Sequence, residues 1–161
     1  MFRKLIHTSA DPTLAALRLA LGIVFFAHGA QKVLGWFGGP GYSGTMSMFT
    51  HSMGIPPVFA VLAMMAEFLG GLGLIVGLLS RVAAFGIMVN MLVAVFLVHL
   101  PNGFFMNWTG HKGGEGFEFH LLAIAIAATI MVRGAGAASL DHAMEWSGPI
   151  RPHAFPQPSR G

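Results

Sequence analysis

The chain has 161 residues, of which 55% are hydrophobic and only 9% charged, and its mean hydropathy is +0.70; soluble domains carry roughly 25% charged residues. That composition places the chain in a bilayer. The net charge of +3 does not indicate a nucleic-acid partner, because most Lys and Arg flank apolar segments and no basic stripe with interleaved aromatics occurs. The absence of cysteine excludes thiol relays, iron-sulfur ligation and thiolate metal sites.

Taken in order, the N-terminal Met-Phe-Arg-Lys has the positive start of a signal peptide. The apolar run that follows begins late, exceeds a signal core and lacks a cleavage site, so it reads as a retained helix. This first segment covers about 14–34 and opens with Asp11 as cap and Pro12 in the first turn. A second covers 58–79 after Pro56 and Pro57, a third covers 82–100 and stops at Pro101, and a fourth covers about 117–133, where Arg133 snorkels at its end. Ser80 and Arg81 alone separate the second from the third, which predicts a tight antiparallel hairpin. The expected fold is all-α: an integral membrane four-helix bundle running up-down-up-down, one domain over residues 1–146.

Arg3, Lys4, Arg81 and Arg133 gather on the side of the termini, against Lys32 and Lys112 opposite, so both termini are expected to be cytoplasmic. The outward loops, roughly 35–57 and 101–116, are rich in glycine and aromatics. Within the first, Thr45 to Met53 is a weak signal for a short interfacial helix. Ser139 to Trp146 reads as an amphipathic surface helix with Ser139 as cap. The proline-rich tail 147–161 is expected to be disordered.

Polar residues inside apolar spans are costly and mark either a site or a structural pair. Glu67 lies ten residues into the second segment, about 15 Å deep at ~1.5 Å per residue. Up-down topology gathers His28, Lys32, His99, Glu118 and His120 on one side, with Glu67 as floor and Arg18 reaching toward it from the opposite end. Arg18, Gly22, Phe25, Gly29 and Lys32 form one stripe, and Glu67, Gly70, Gly71 and Leu74 form another. The first two helices are therefore expected to touch through small residues, with Gly73 and Gly77 adding a further GxxxG spacing. Asn90 and His99, nine residues apart, are half a turn out of phase in an α-helix, so both face one interior only if the helix frays near Pro101.

Arg18 with Glu67 reads equally as a register-fixing pair or as part of a site. His28 and His120 lean toward function, whereas Asn90, His99 and Glu118 are secondary candidates with ordinary structural readings. No metal site is expected. Two axial histidines for haem, from His28 with His99 or His120, are disfavoured because no spacing demands them. There is no GxSxG, no phosphate loop and no strand-helix alternation.

The runs Arg18 to Gly22, His28 to Lys32, Glu67 to Gly71 and Gly77 to Arg81 resemble the DoxX family of small four-helix membrane proteins. The later runs Pro101 to Phe105, Gly113 to Glu118 and Gly134 to Asp141 continue that resemblance over roughly residues 12–145, with Ser80 where the family often has Thr. The resemblance implies a bacterial inner-membrane protein associated with a thiosulfate:quinone type of oxidoreductase, with a membrane or redox protein as partner. The cysteine-dependent chemistry of vitamin K epoxide reductase-like bundles is excluded. The resulting expectation is a subunit whose polar pocket of Arg18, His28, Lys32, Glu67 and His120 holds a quinone headgroup or relays protons, whether or not the subunit itself turns over. The rival is a structural or assembly subunit of a larger respiratory or pigment complex.

Overall fold

The computed structural model describes residues 2–146. The tail 147–161 lies outside the described residues. Among the described residues the chain is all-helical, without strands. Its helices are α1 (Phe2–Ile6), α2 (Pro12–Leu34), α3 (Gly41–Ser47), α4 (Pro57–Val76), α5 (Ser80–Ala94), α6 (Glu118–Arg133) and α7 (Leu140–Trp146).

Helix α2 starts where its cap requires. The Asp11 carboxylate accepts from the Thr13 N–H at 2.8 Å, Pro12 occupies the first turn, and Gly35 ends the helix in the left-handed region at φ 72°. The second helix ends earlier than its apolar run. Gly77 adopts φ 71°, and Leu78 N–H donates to the Gly73 carbonyl at 2.8 Å, a Schellman closure. The turn between α4 and α5 is therefore Gly77–Leu79 rather than Ser80 and Arg81, and the Gly73/Gly77 spacing belongs to a helix terminus instead of a helix-helix seam. Helix α5 continues into a π-helical turn over Val95–His99 and a 3-10 turn over Leu100–Asn102.

Pro12–Leu34, Pro57–Val76 and the run Ser80–Asn102 are long and apolar enough to cross a membrane. Helix α6 has 16 residues, fewer than the ~20 that a perpendicular crossing takes. It is short because Phe117 and Glu118 donate their N–H groups to the carbonyls of Gly103 and Phe104, which turns the preceding loop inward.

Helix α2 packs along α4, α5 packs against both α4 and α6, and α6 touches α2. The α2–α4 contact is backbone against backbone. A Cβ at Gly71 would sit 2.3 Å from the Phe26 nitrogen, and one at Gly29 would sit 2.4 Å from the Phe68 Cα. In lipid, where burial from water does not drive helices together, such close approach supplies the dispersion contact. Leu21, Phe25, Leu74, Ile87, Met91 and Ile130 fill the interior between the helices.

The short helix expected over Thr45 to Met53 is part of a longer helical run, α3 followed by a π-helical turn, Met48–Ser52. Helix α7 is capped as expected, with the Ser139 hydroxyl accepting from the His142 N–H at 3.2 Å.

Candidate functional site

The α2–α4 register decides which charges meet. Gly29 lies against Glu67 and Phe68, while Gly22 lies against Gly71 to Ile75. Eleven residues separate Arg18 from Gly29, roughly 16 Å along the axis, more than the arginine stem spans. The expected Arg18–Glu67 pair therefore does not form. Arg18, 1% exposed, turns instead into the end of α4 and the 134–138 loop. Its Nε donates to the Ala135 carbonyl at 2.8 Å and its Nη1 to the carbonyls of Leu74 and, at 2.8 Å, Ile75. Its Nη2 donates to Ala138 at 3.0 Å and Ala137 at 3.4 Å.

Glu67 finds its cation on the other side. Its Oε2 is ion-paired with Lys32 Nζ, and its Oε1 accepts from Asn90 Nδ2 at 2.9 Å. Lys32 reaches it from the last turn of α2, where the Thr45 hydroxyl donates to the Lys32 carbonyl at 3.1 Å and ties α3 to that helix end. A carboxylate 3% exposed is thus met by one charge and one amide, as burial requires.

Asn90 and His99 face the same space. They line, with Lys32 and Glu67, a lateral groove of about 980 Å³ between α4 and α5. The π-helical turn removes the phase conflict, since each residue in an i→i+5 turn rotates the chain by less than the roughly 100° of an α-helix. Apart from these four side chains the groove is apolar: Phe59, Leu62, Phe85, Val89, Val93 and Leu97 border it, all exposed on the outer face of the helices.

The histidines divide. His99 Nδ1 bonds the Glu115 carbonyl at 2.9 Å, and the His99 and His120 rings lie 4.0 Å apart between centroids. His120 is 6% exposed, and its Nδ1 is buried without a hydrogen-bond partner. His28 is exposed, its ring lies 6.4 Å from that of Phe119 between centroids, and it sits within electrostatic reach of Lys32, Glu67 and His120. Glu118 does not join. Its Oε1 accepts from the Met106 N–H at 2.8 Å and from Trp108 Nε1 at 3.0 Å, so it anchors the 103–117 loop. Of the expected cluster, the structure bonds Lys32, Glu67 and Asn90 to one another, stacks His99 on His120, keeps His28 within electrostatic reach of both groups, and leaves Arg18 and Glu118 apart.

Two residues outside the expected cluster shape the opposite end. Asp141, 1% exposed, accepts from the N–H groups of Leu79 and Ser80 at 2.7 and 2.8 Å and caps α5 from across the chain. Arg81 Nη1 donates to the carbonyls of Met131 and Val132 at the end of α6. A cap supplied sixty residues downstream carries no local sequence signal. No group of three or more His, Cys, Asp or Glu suited to a metal occurs among the described residues.

A family model described as DoxX matches residues 13–100. The chain is 33% identical over 120 residues to the membrane protein Rv3486 of Mycobacterium tuberculosis, covering 71% of this chain and 66% of that one. It thus spans just under two thirds of the mycobacterial protein's length. It is 30% identical over 129 residues to a protein of Haemophilus influenzae, covering 80% and 88%. To a Bacillus subtilis protein named "Putative oxidoreductase CatD" it is 29% identical over 110 residues, covering 68% and 72%. No solved structure matches the chain.

Proposed function

This chain belongs to the DoxX family of membrane proteins, and on that premise we propose that it is a membrane subunit of a quinone-linked oxidoreductase, with the α4/α5 groove as its quinone site. The observation that carries this reading is the lateral groove of about 980 Å³ whose polar lining side chains are Lys32, Glu67, Asn90 and His99. An apolar cleft with a few convergent polar groups suits a headgroup on a long hydrocarbon tail that enters from the bilayer. Lys32 Nζ and the second Asn90 N–H are donors for a carbonyl oxygen, and Glu67 balances the lysine charge, so the site accepts a neutral head without stranding a charge. His99 and His120 stand next to it as proton carriers. The name of the Bacillus relative agrees with a redox context.

The arrangement in the bilayer belongs to the same proposal. Helices α2, α4, α5 and α6 form an up-down-up-down bundle in a bacterial inner membrane, with both termini cytoplasmic and the groove's His99 end toward the outer face. Reporter fusions after Gly38 and Gly113 are expected outside; an external C-terminus overturns this orientation.

A structural or assembly role has one observation in its favour: Lys32, Glu67 and Asn90 satisfy one another, as a register-fixing network would. The two readings separate when the protein is purified in mild detergent and its extracted lipids are identified by mass spectrometry. Near-stoichiometric quinone is expected in the wild type. It should be lost in Ala63→Phe, which fills the groove one turn from Glu67, with thermal stability retained. A wild-type protein that carries no quinone and binds none when quinone is added leaves the structural role standing.

A further inference from the structure

The redox form of the ligand follows from one ring nitrogen. His99 Nδ1 faces a carbonyl oxygen, that of Glu115 at 2.9 Å. A carbonyl only accepts, so Nδ1 carries the proton and, in the neutral ring, Nε2 is an acceptor with a free lone pair. Among the described residues no hydrogen bond engages His99 Nε2. The ring is packed against His120, centroid to centroid 4.0 Å, and lines the groove.

The neighbouring groups are complementary in sign. Lys32 is a pure donor, and both Glu67 oxygens are already engaged, by Lys32 and Asn90. The groove therefore carries donors at Lys32 and Asn90 and, past Val93 and Leu97, an acceptor at His99. A quinone carbonyl can only accept, and beside Nε2 it would set two lone pairs against each other. A dihydroxy ring does both with its two opposite oxygens: one accepts from Lys32 or Asn90, and the hydroxyl at the other gives its hydrogen to His99 Nε2.

Resting on the quinone reading above, we infer that this site selects the reduced, dihydroxy form of its ligand, with His99 Nε2 as the acceptor that distinguishes quinol from quinone. A site built to hydrogen-bond a hydroxyl discriminates against the analogue without one because its own polar group is left unpaired. For a groove open to lipid the expected preference is roughly tenfold.

The test uses the full chain in lipid nanodiscs under argon, with decylubiquinol and decylubiquinone as probes in equilibrium dialysis. The wild type should bind the quinol roughly tenfold more tightly. His99→Asn places its amide N–H where Nδ1 was, preserves the bond to Glu115 and removes the acceptor, so the preference should fall to about one through loss of quinol affinity. His99→Gln brings an amide oxygen near the Nε2 position and should retain a preference for quinol. Thermal melts report the fold of each variant, and 15N-histidine spectra of the wild type give a readout that needs no variant: Nε2 of His99 should shift with quinol and not with quinone. Equal wild-type affinities, both abolished by Ala63→Phe, overturn this inference and leave the groove as a quinone site. A preference that survives in folded His99→Asn overturns it as well. Binding of neither probe overturns the inference together with the proposed function.

Discussion

The two ends of the helix group both bury charge, but they spend it differently. At the end near the termini, Arg18 and Arg81 donate into backbone carbonyls at the C-termini of α4 and α6, and Asp141 accepts backbone N–H groups at the start of α5. At the other end, Glu67 is held by two side chains, Lys32 and Asn90. Backbone groups at helix termini cannot turn away without unwinding the helix, so the first set of bonds is architecture. Side chains can rotate and exchange one partner for another. Such a set can admit a ligand at modest cost, and the lateral groove runs past it.

The sharpest way to break this contrast is at Arg18. Arg18→Leu strips donors from the carbonyls of Ala135, Leu74, Ile75, Ala137 and Ala138. It should cost about 3–5 kcal/mol in thermal or denaturant unfolding in detergent, the range for breaking a buried charged network. Because the two residues do not pair, adding Glu67→Leu should not restore the loss. A double mutant that recovers stability would show an Arg18–Glu67 coupling that the structure does not contain.

Next in size is Gly71→Leu. The obstructing atoms belong to the backbone of Phe25 and Phe26, which cannot rotate aside. Overpacking of on the order of 1–3 kcal/mol is expected, read as a lower midpoint in detergent. An unchanged midpoint would mean that α2 and α4 slide freely and that the register separating Arg18 from Glu67 is soft.

Glu67→Gln tests the other half of the contrast. The amide fills nearly the same volume but has one acceptor: its oxygen takes the Lys32 N–H, its NH2 donates to an Asn90 amide turned to present its oxygen, and the ion pair becomes a charge–dipole hydrogen bond. Stability should change by about 1 kcal/mol or less, whereas bound quinone should fall severalfold. A folded variant with undiminished quinone would place the ligand away from Glu67.

The smallest expected effect lies at the surface clamp of α1 on α7. His7 Nδ1 bonds Glu145 at 2.5 Å, and the Thr8 N–H donates to the same carboxylate at 3.0 Å. The His7 hydrogen bond first, and the Thr8 N–H second, hold this carboxyl below its usual range. A depressed folded value means that the clamp's contribution is complete above the ordinary carboxylate range and is lost as pH falls through the lowered value. Amide exchange at Thr8 should therefore accelerate, relative to its neighbours, only in acid, and Glu145→Gln should remove that pH dependence. An exchange profile identical in the variant would show that the carboxylate does not hold the two helices together.

The membrane class, the helical fold and the approximate helix positions were legible in the sequence, because composition, apolar run length and the Asp11-Pro12, Pro56-Pro57 and Pro101 boundaries are local properties of the chain. So was the use of glycine between α2 and α4, since Gly22, Gly29 and Gly71 lie on helical stripes that periodicity alone reveals. Which charge meets which was not legible. A helix stripe gives the direction a side chain faces but not the axial register of its neighbour, and the packing of Gly29 on Phe68 is what separated Arg18 from Glu67 and brought Lys32 to it. The π-helical turn at Val95–His99 likewise changes the phase of everything beyond it, so Asn90 and His99 line the same groove although their spacing opposes it in a regular helix. Asp141 and Arg81 complete helix ends that lie far away in the chain. Long-range caps and register are decided only when the packed helices leave particular backbone groups in need of a partner.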